Sequence, residues 1–562
     1  MENNTTQRGG EYVYDALVHA GIGLLVGLPG TQTLPLDRTV VERNEITYLM
    51  ARHETAIPHI AWGYYESSGK IAATLTVPGP GDTNVMHGLK NALEDCVPIV
   101  HVSADVDPVD RGKGPIHEIE ADTFDNVVKD NITITSRTAL REQVTRGITT
   151  ALTPPFGPVR LGIPSGLLDS EFHVPPADVT LEGTSYDNQR AYEAAADLLA
   201  SAERPVVYAG GGARRSEGGD RVVRELANTL DAPVILSYKG KGTYPEDDPR
   251  FLGVTGSPIP AGARRALEVA DVILALGTDF DGVTTDQWSV PMGERLIHVN
   301  IDPGEFDAGY RSDIKIVADV TEAGDHLVNA IGQRRPREEG WDGSAVATAV
   351  QTEYHEHLVK LGLFEGGAPA NTAELLRGLR EVIPREAVIT TDVGGCRLWA
   401  KQVFEAYRPD KYITAGSWAG MGVGLPAAIG AKMANPQRPV VCLTGDGGLM
   451  MCIHELHTAV EAGLDVIVVV FNNRDYGIIS KSPKIEEYSE GHQFSWNSPS
   501  FETIARGFGC DGVTVETAAA GAEAVEKALK NQGGPIVIDV AVKTHEPSAI
   551  QAASYESTVD LT

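Results

Sequence analysis

Two short segments in the last third of the chain carry side chains suited to holding a cation against a phosphate. They are Gly445-Asp446-Gly447-Gly448 and Asn472-Asn473. Each ends an apolar, β-branched run, Val440–Thr444 and Asp465–Phe471, and a helical pattern over 449–462 lies between. In a parallel sheet both runs end on the carboxyl edge, where ligands bind, so the crossover makes Asp446 and Asn473 neighbours. A carboxylate and an amide carbonyl are hard oxygen donors, which favours Mg²⁺ or Ca²⁺ over zinc. The glycines let backbone approach a phosphate, and Gly447–Gly448 open a helix whose free N–H groups face it. The expectation is a metal-bridged diphosphate. His454-Glu455-Leu456-His457 follows at once, but a metalloprotease helix needs its histidines at i and i+4. Here they stand at i and i+3, and the segment reads as a helix surface.

The elements that must position this loop belong to a chain of 562 residues, too long for one domain at roughly 150 residues each. Three stretches alternate short β-branched runs with Ala-rich helical patterns, which is the signature of parallel α/β domains. A Pro-, Asp- and Gly-rich loop at 175–188 and a charged linker at 333–342 separate them, giving expected domains 1–180, 189–332 and 344–562. The net charge of −30 repels nucleic acid and anionic lipid, so neither is an expected partner. Acidity this strong, spread along the chain, is read as that of an enzyme from a high-salt cytoplasm. No run is long and apolar enough for a membrane span, and residues 1–10 lack a signal-peptide core. Five cysteines with no Cys-x-x-Cys pair fit a reducing, cytoplasmic setting.

The Gly-Asp-Gly and Asn-Asn pair resembles the diphosphate-binding signature of thiamine-diphosphate (ThDP) enzymes. Nearly the whole chain resembles the acetolactate synthase, pyruvate oxidase and 2-oxo-acid decarboxylase family. Arg52-His53-Glu54, Gly27-Leu28-Pro29-Gly30, Gly79-Pro80-Gly81-Asp82-Thr83-Asn84 and the 419–428 segment are similar to further family landmarks. The resemblance implies three α/β domains with parallel sheets: pyrimidine-binding, central and diphosphate-binding. It implies Asp446, Asn473 and the backbone carbonyl of Asp475 as Mg²⁺ ligands. Gly394, Ala419, Met421, Gly445, Gly447, Gly448, Tyr476, Gly477 and Ile478 would contact the cofactor. Met421 would bend it, and the Ala419 carbonyl would hold its aminopyrimidine amine. Glu54 would hydrogen-bond the pyrimidine N1′ and promote the imino form that deprotonates C2 of the thiazolium. In the family this glutamate and the diphosphate loop come from different chains, so a homodimer or homotetramer with sites between chains is implied.

The reaction implied is that of a ThDP- and Mg²⁺-dependent, acetolactate-synthase-like lyase or transferase acting on a small 2-oxo acid. Two alternatives stand beside it: an FAD-dependent oxidase of the same fold, and a ThDP-binding paralogue without chemistry of its own. The family's central domain binds FAD, ADP or nothing. Gly210-Gly211-Gly212 lacks the third glycine of a dinucleotide fingerprint, Arg215 standing in its place. His117, Lys129 and Asp279 are candidates for the substrate pocket. Asp279 stands where acetolactate synthases carry an arginine for the second 2-oxo acid's carboxylate. A bare carboxylate there, about 4 Å from another, would turn roughly 4 kcal/mol of attraction into repulsion.

Overall fold

The computed structural model describes residues 5–174, 179, 186–334, 340–482, 485, 494–531 and 533–561. Most of the two expected separators, at 175–178, 180–185 and 335–339, lies outside these residues. Three six-stranded sheets organise the chain, and every strand pair within them is parallel. Their strands are runs such as Val466–Asn472, buried along its whole length. Helices on both faces demand that continuous apolarity. A small antiparallel pair, Thr5–Arg8 with Glu171–Val174, ties the start of the chain to the end of the first unit.

Strand order differs among the sheets. The first sheet runs Thr47–Met50, Leu24–Gly27, Ala72–Thr76, Ile99–Asp105, Val159–Pro164, Asp130–Thr133. The third runs Tyr412–Thr414, Val388–Thr391, Val440–Gly445, Val466–Asn472, Ile536–Ala541, Asp511–Val515. Numbered within its own unit, each reads 2-1-3-4-6-5. The middle sheet instead reads 3-2-1-4-5-6, the order of dinucleotide-binding folds.

The first and third units meet along two helices, Ala56–Ser68 and Gly424–Ala434, each following the second strand of its sheet. Contact is backbone to backbone. A Cβ at Gly63 would collide with the Ala427 carbonyl, and one at Gly430 with the Ile60 carbonyl. Around them one apolar cluster, including Ile57, Ile60, Trp62, Leu425, Ala428 and Ile429, spans both units.

Candidate active site

The strand Val440–Gly445 lies beside Val466–Asn472 with Gly445 opposite Phe471, so the loops after both open on one edge. Asp446 begins the helix Asp446–Cys452. Its Oδ1 accepts from Gly447 N at 2.9 Å, and its Oδ2 from Arg474 N at 2.9 Å. Arg474 has φ +58, a left-handed turn that aims this amide at the carboxylate. Asn473 Oδ1 accepts from the Asp475 amide at 3.1 Å. The Asp475 carboxylate is bound by the hydroxyls of Ser480 and Ser495. Burial pushes the Asp446 carboxyl up to about 6, against the pull of the Gly447 and Arg474 amides.

These groups line a cavity of about 510 Å³. Gly394, Met421, Gly445, Asp446, Gly447, Gly448, Asn473, Asp475, Tyr476, Gly477 and Ile478 are all on its wall. A Cβ on Gly447 would lie 2.8 Å from Tyr476 Cε1 and 3.2 Å from Trp496, so the absence of a side chain keeps the floor open. Among the described residues no three His, Cys, Asp or Glu side chains converge on a metal position. An oxygen-donor loop beside a glycine cradle therefore fits Mg²⁺ shared with a diphosphate, since Mg²⁺ takes few protein ligands and completes its shell with phosphate and water.

Glu54, Ala419, His117, Lys129 and Asp279 lie off this wall. Glu54 is half-buried just before the helix Ala56–Ser68, and its Oε2 accepts from Asn84 Nδ2 at 3.0 Å. The backbone of His117, at φ +68, closes on Gly79, where an added Cβ would be 2.9 Å from the His117 carbonyl. Glu54, Asn84 and His117 thus gather on the carboxyl edge of the first sheet. A second cavity, of about 460 Å³, lies between the first and third units, with Thr55, His59, His87, Met421 and His454 on its wall. Met421 belongs to both cavities. Ala419 sits two residues before it at φ +47, an unusual backbone for alanine that costs about 1 kcal/mol or more and sets the direction of its carbonyl.

Two substrate-pocket candidates are placed otherwise than a carboxylate receptor requires. Lys129 Nζ donates to the carbonyls of Thr150, Thr153 and Pro155 at 2.6–2.8 Å, which makes it a loop cap. Asp279 is not a bare charge. Its Oδ2 lies 3.1 Å from Lys239 Nζ; burial pushes the carboxyl up, but Lys239 and backbone hydrogen bonds together hold it below its ordinary range. The repulsion expected from the sequence is therefore largely cancelled within the protein. The His454–His457 segment is also not a helix surface. The helix breaks at Ile453, and buried Glu455 accepts from the amides of Arg52 and His53 in the first unit.

The middle sheet's order places a cavity of about 420 Å³ at its switch point, between the loops at Gly211 and Gly277. Its polar wall is acidic, with Glu94, Glu217, Asp279, Asp302, Glu305 and Asp319. Its two cations are already paired, Arg215 with Glu66 and Lys239 with Asp279 and Asp95. Gly212 is packed against Gly277, where a Cβ would sit 2.8 Å from its Cα, so that glycine serves strand packing rather than a phosphate. The cavity does not fit the doubly anionic bridge of a flavin dinucleotide.

Sequence reasoning missed Asp392. Fully buried after the strand Val388–Thr391, it accepts from the amides of Gly422 and Gly424 at 2.9 and 3.2 Å and from Thr444 Oγ1 at 3.2 Å. It fastens the Met421 loop to the strand that delivers Asp446. The only sequence signal was an Asp at a strand end before Gly394-Gly395.

Comparison with known proteins agrees with this geometry. Residues 7–125 match the N-terminal TPP binding domain of thiamine pyrophosphate enzymes, 192–327 their central domain, and 392–540 their C-terminal TPP binding domain. A probable acetolactate synthase large subunit of Methanococcus aeolicus is 30% identical over 95% of this chain and 92% of its own. One from Methanocaldococcus jannaschii is 30% identical, covering 89% and 86%. The acetolactate synthase isozyme 1 large subunit of Escherichia coli is 29% identical, covering 96% and 94%. With the three domain matches in chain order and relatives aligned end to end, this chain belongs to the thiamine pyrophosphate enzymes of the acetolactate synthase type.

Proposed function

We propose that the chain is a ThDP- and Mg²⁺-dependent enzyme that decarboxylates a small 2-oxo acid and releases the acyl unit or passes it to an acceptor. Residues 1–180, 189–332 and 344–562 would serve as pyrimidine-binding, central and diphosphate-binding domains. When bound, the cofactor supplies a C2 carbanion able to attack the substrate carbonyl and hold the electron pair left by decarboxylation. Asp446, Asn473 and the Asp475 carbonyl hold Mg²⁺, while Gly447 and Gly448 leave space for the diphosphate. The Ala419 carbonyl would accept from the cofactor's aminopyrimidine amine, and Met421, on the wall of both cavities, would pack against the cofactor. Glu54 holds a proton at N1′, and Asn84 fixes its carboxylate. Because Glu54 lies off the diphosphate cavity, the reading includes a homodimer or homotetramer in which one chain's Glu54 serves its partner's cavity. The cytoplasm is its proposed setting, in line with five unpaired cysteines.

The observation that supports the reading best is the Asp446–Asn473–Asp475 turn beside a glycine-floored cavity. The acidic switch-point cavity weighs against a flavin-dependent oxidase, and Glu54 on its sheet edge weighs against an inert paralogue. Removing Asp446 takes away the one charged metal donor. Asp446→Ala is expected to lose ThDP retention by more than about 100-fold in the presence of Mg²⁺. The check is cofactor content by thiochrome fluorescence after desalting, and stoichiometric ThDP in the variant would defeat the assignment. A 2-oxo acid panel read by CO₂ release and product analysis then identifies the substrate.

A further inference from the structure

All three units meet under the loop that carries Ala419 and Met421, and Lys239 stands where they meet. Lys239, 7% exposed, belongs to the middle unit. Its Nζ donates to Asp279 Oδ2 at 3.1 Å and to the Glu94 carbonyl at 3.0 Å, and lies 3.6 Å from Asp95 Oδ1. Two of the ammonium's three N–H donors are thus used, by Asp279 and the Glu94 carbonyl, while Asp95 is its ion-pair partner. Asp95, 1% exposed, belongs to the first unit and in turn accepts from the Gly416 amide at 3.1 Å. Gly416 belongs to the third unit and opens the 415–423 loop. It has no room for a side chain, because a Cβ there would collide with Asp95 Oδ1 and lie 2.8 Å from Lys239 Cδ. Elsewhere the loop is held from its own unit, by Arg397 on the Ala415 carbonyl and Asp392 on Gly422 and Gly424, and by the first unit's His87 on Trp418.

We propose that Lys239, clamped between Asp279 and Asp95, is a positioning residue for the cofactor-bending loop 415–421. A buried carboxylate keeps its charge only beside a partner, and the charged form makes the stronger bond to an amide. Burial pushes the Asp95 carboxyl up to about 6 and the Lys239 charge opposes that rise; Asp95 grips Gly416, and Gly416 fixes where the loop starts. Asp279 supplies the second carboxylate, which holds the flexible lysine in place on the wall of the switch-point cavity. The role of the loop rests on the cofactor reading above, but its anchoring does not.

The test uses the full chain without cofactor, by hydrogen exchange of peptides covering 415–423, with the strand Val272–Leu276 as an internal control. Lys239→Met should speed exchange of 415–423 by about tenfold or more, leave the control strand protected, and be reversed by Lys239→Arg. Asp279→Asn, which leaves the Lys239–Asp95 pair, should move the same peptides in the same direction by less and covers the case in which Lys239→Met does not fold. With ThDP and Mg²⁺ added, Lys239→Met should bind cofactor within about threefold of wild type by fluorescence titration but exchange the C2 proton about tenfold more slowly. Wild-type protection of 415–423 in both variants would overturn the proposal. A wild type that binds no ThDP would defeat the functional reading and leave the exchange result standing.

Discussion

At the residue scale, Glu54 and Asp446 divide the work between two sheet edges. Glu54→Gln keeps the shape and an acceptor for Asn84 but removes the ionisable carboxyl that could share a proton with N1′. ThDP binding should persist, because the proposed metal donors sit in the third unit. Exchange of the C2 proton in deuterated buffer should slow by about 10²–10⁴, the usual worth of a positioned acid–base group. The assay needs no knowledge of the substrate, and a wild-type rate would reduce Glu54 to a residue at a helix start. The residues that were legible in advance share one property: they are local. Gly445-Asp446-Gly447-Gly448 and Asn473 each follow a strand within a few positions, so strand, loop and chemistry read together. The pairing of Asp279 with Lys239 was not legible because the two are distant in sequence, and the pair exists only after strands from both segments align. Asp392 was invisible for the same reason, its partners lying in two other segments.

At the element scale, the tightest contact is the crossing of Ala56–Ser68 with Gly424–Ala434. The alternation of β-branched and Ala-rich stretches announced three α/β units, and the three parallel sheets are present. It could not announce which helices would touch, since small residues in a helix read equally as interface or as indifferent surface. Gly430→Ala places a methyl against the Ile60 carbonyl, and the helices must separate to admit it. Overpacking of this kind costs about 1–3 kcal/mol. The expected outcome is a Tm lower by a few degrees in calorimetry, whereas Gly507→Ala, at a position with nothing within 4 Å, leaves it unchanged. The break at Ile453 carries the same lesson. Period alone extended one helix through 449–462, while the demand of the Arg52 and His53 amides for a buried acceptor turned Glu455 inward.

At the scale of the whole molecule, ionic contacts couple the units. Glu66 of the first unit is buried and receives Arg214 and Arg215 of the middle one. Burial alone would raise its carboxyl, but the two guanidiniums bring it down to about 2 from 4.5. A depressed folded pKa means stability that is complete above pH 4.5 and lost as pH falls towards 2. Wild type should therefore lose Tm across that window, and Glu66→Gln, already weakened at neutral pH, should lose less there. The net charge of −30 acts at longer range. Raising KCl from 0.01 M to 1 M shortens the screening length from about 30 Å to about 3 Å, so Tm should climb over that interval, and a flat response would dismiss the high-salt reading. The shared 2-1-3-4-6-5 order of the outer sheets has a consequence of its own. It makes the two crossing helices topologically equivalent, each following the second strand of its unit. The counterpart of Asp446 is Gly79–Asp82, after the third strand of its sheet. There the aspartate turns inward and is consumed by Arg160, His101 and Ser103. One loop position thus occurs twice, on the wall of a cavity in the third unit and sealed by its own side chains in the first, which leaves only the former free for the proposed diphosphate.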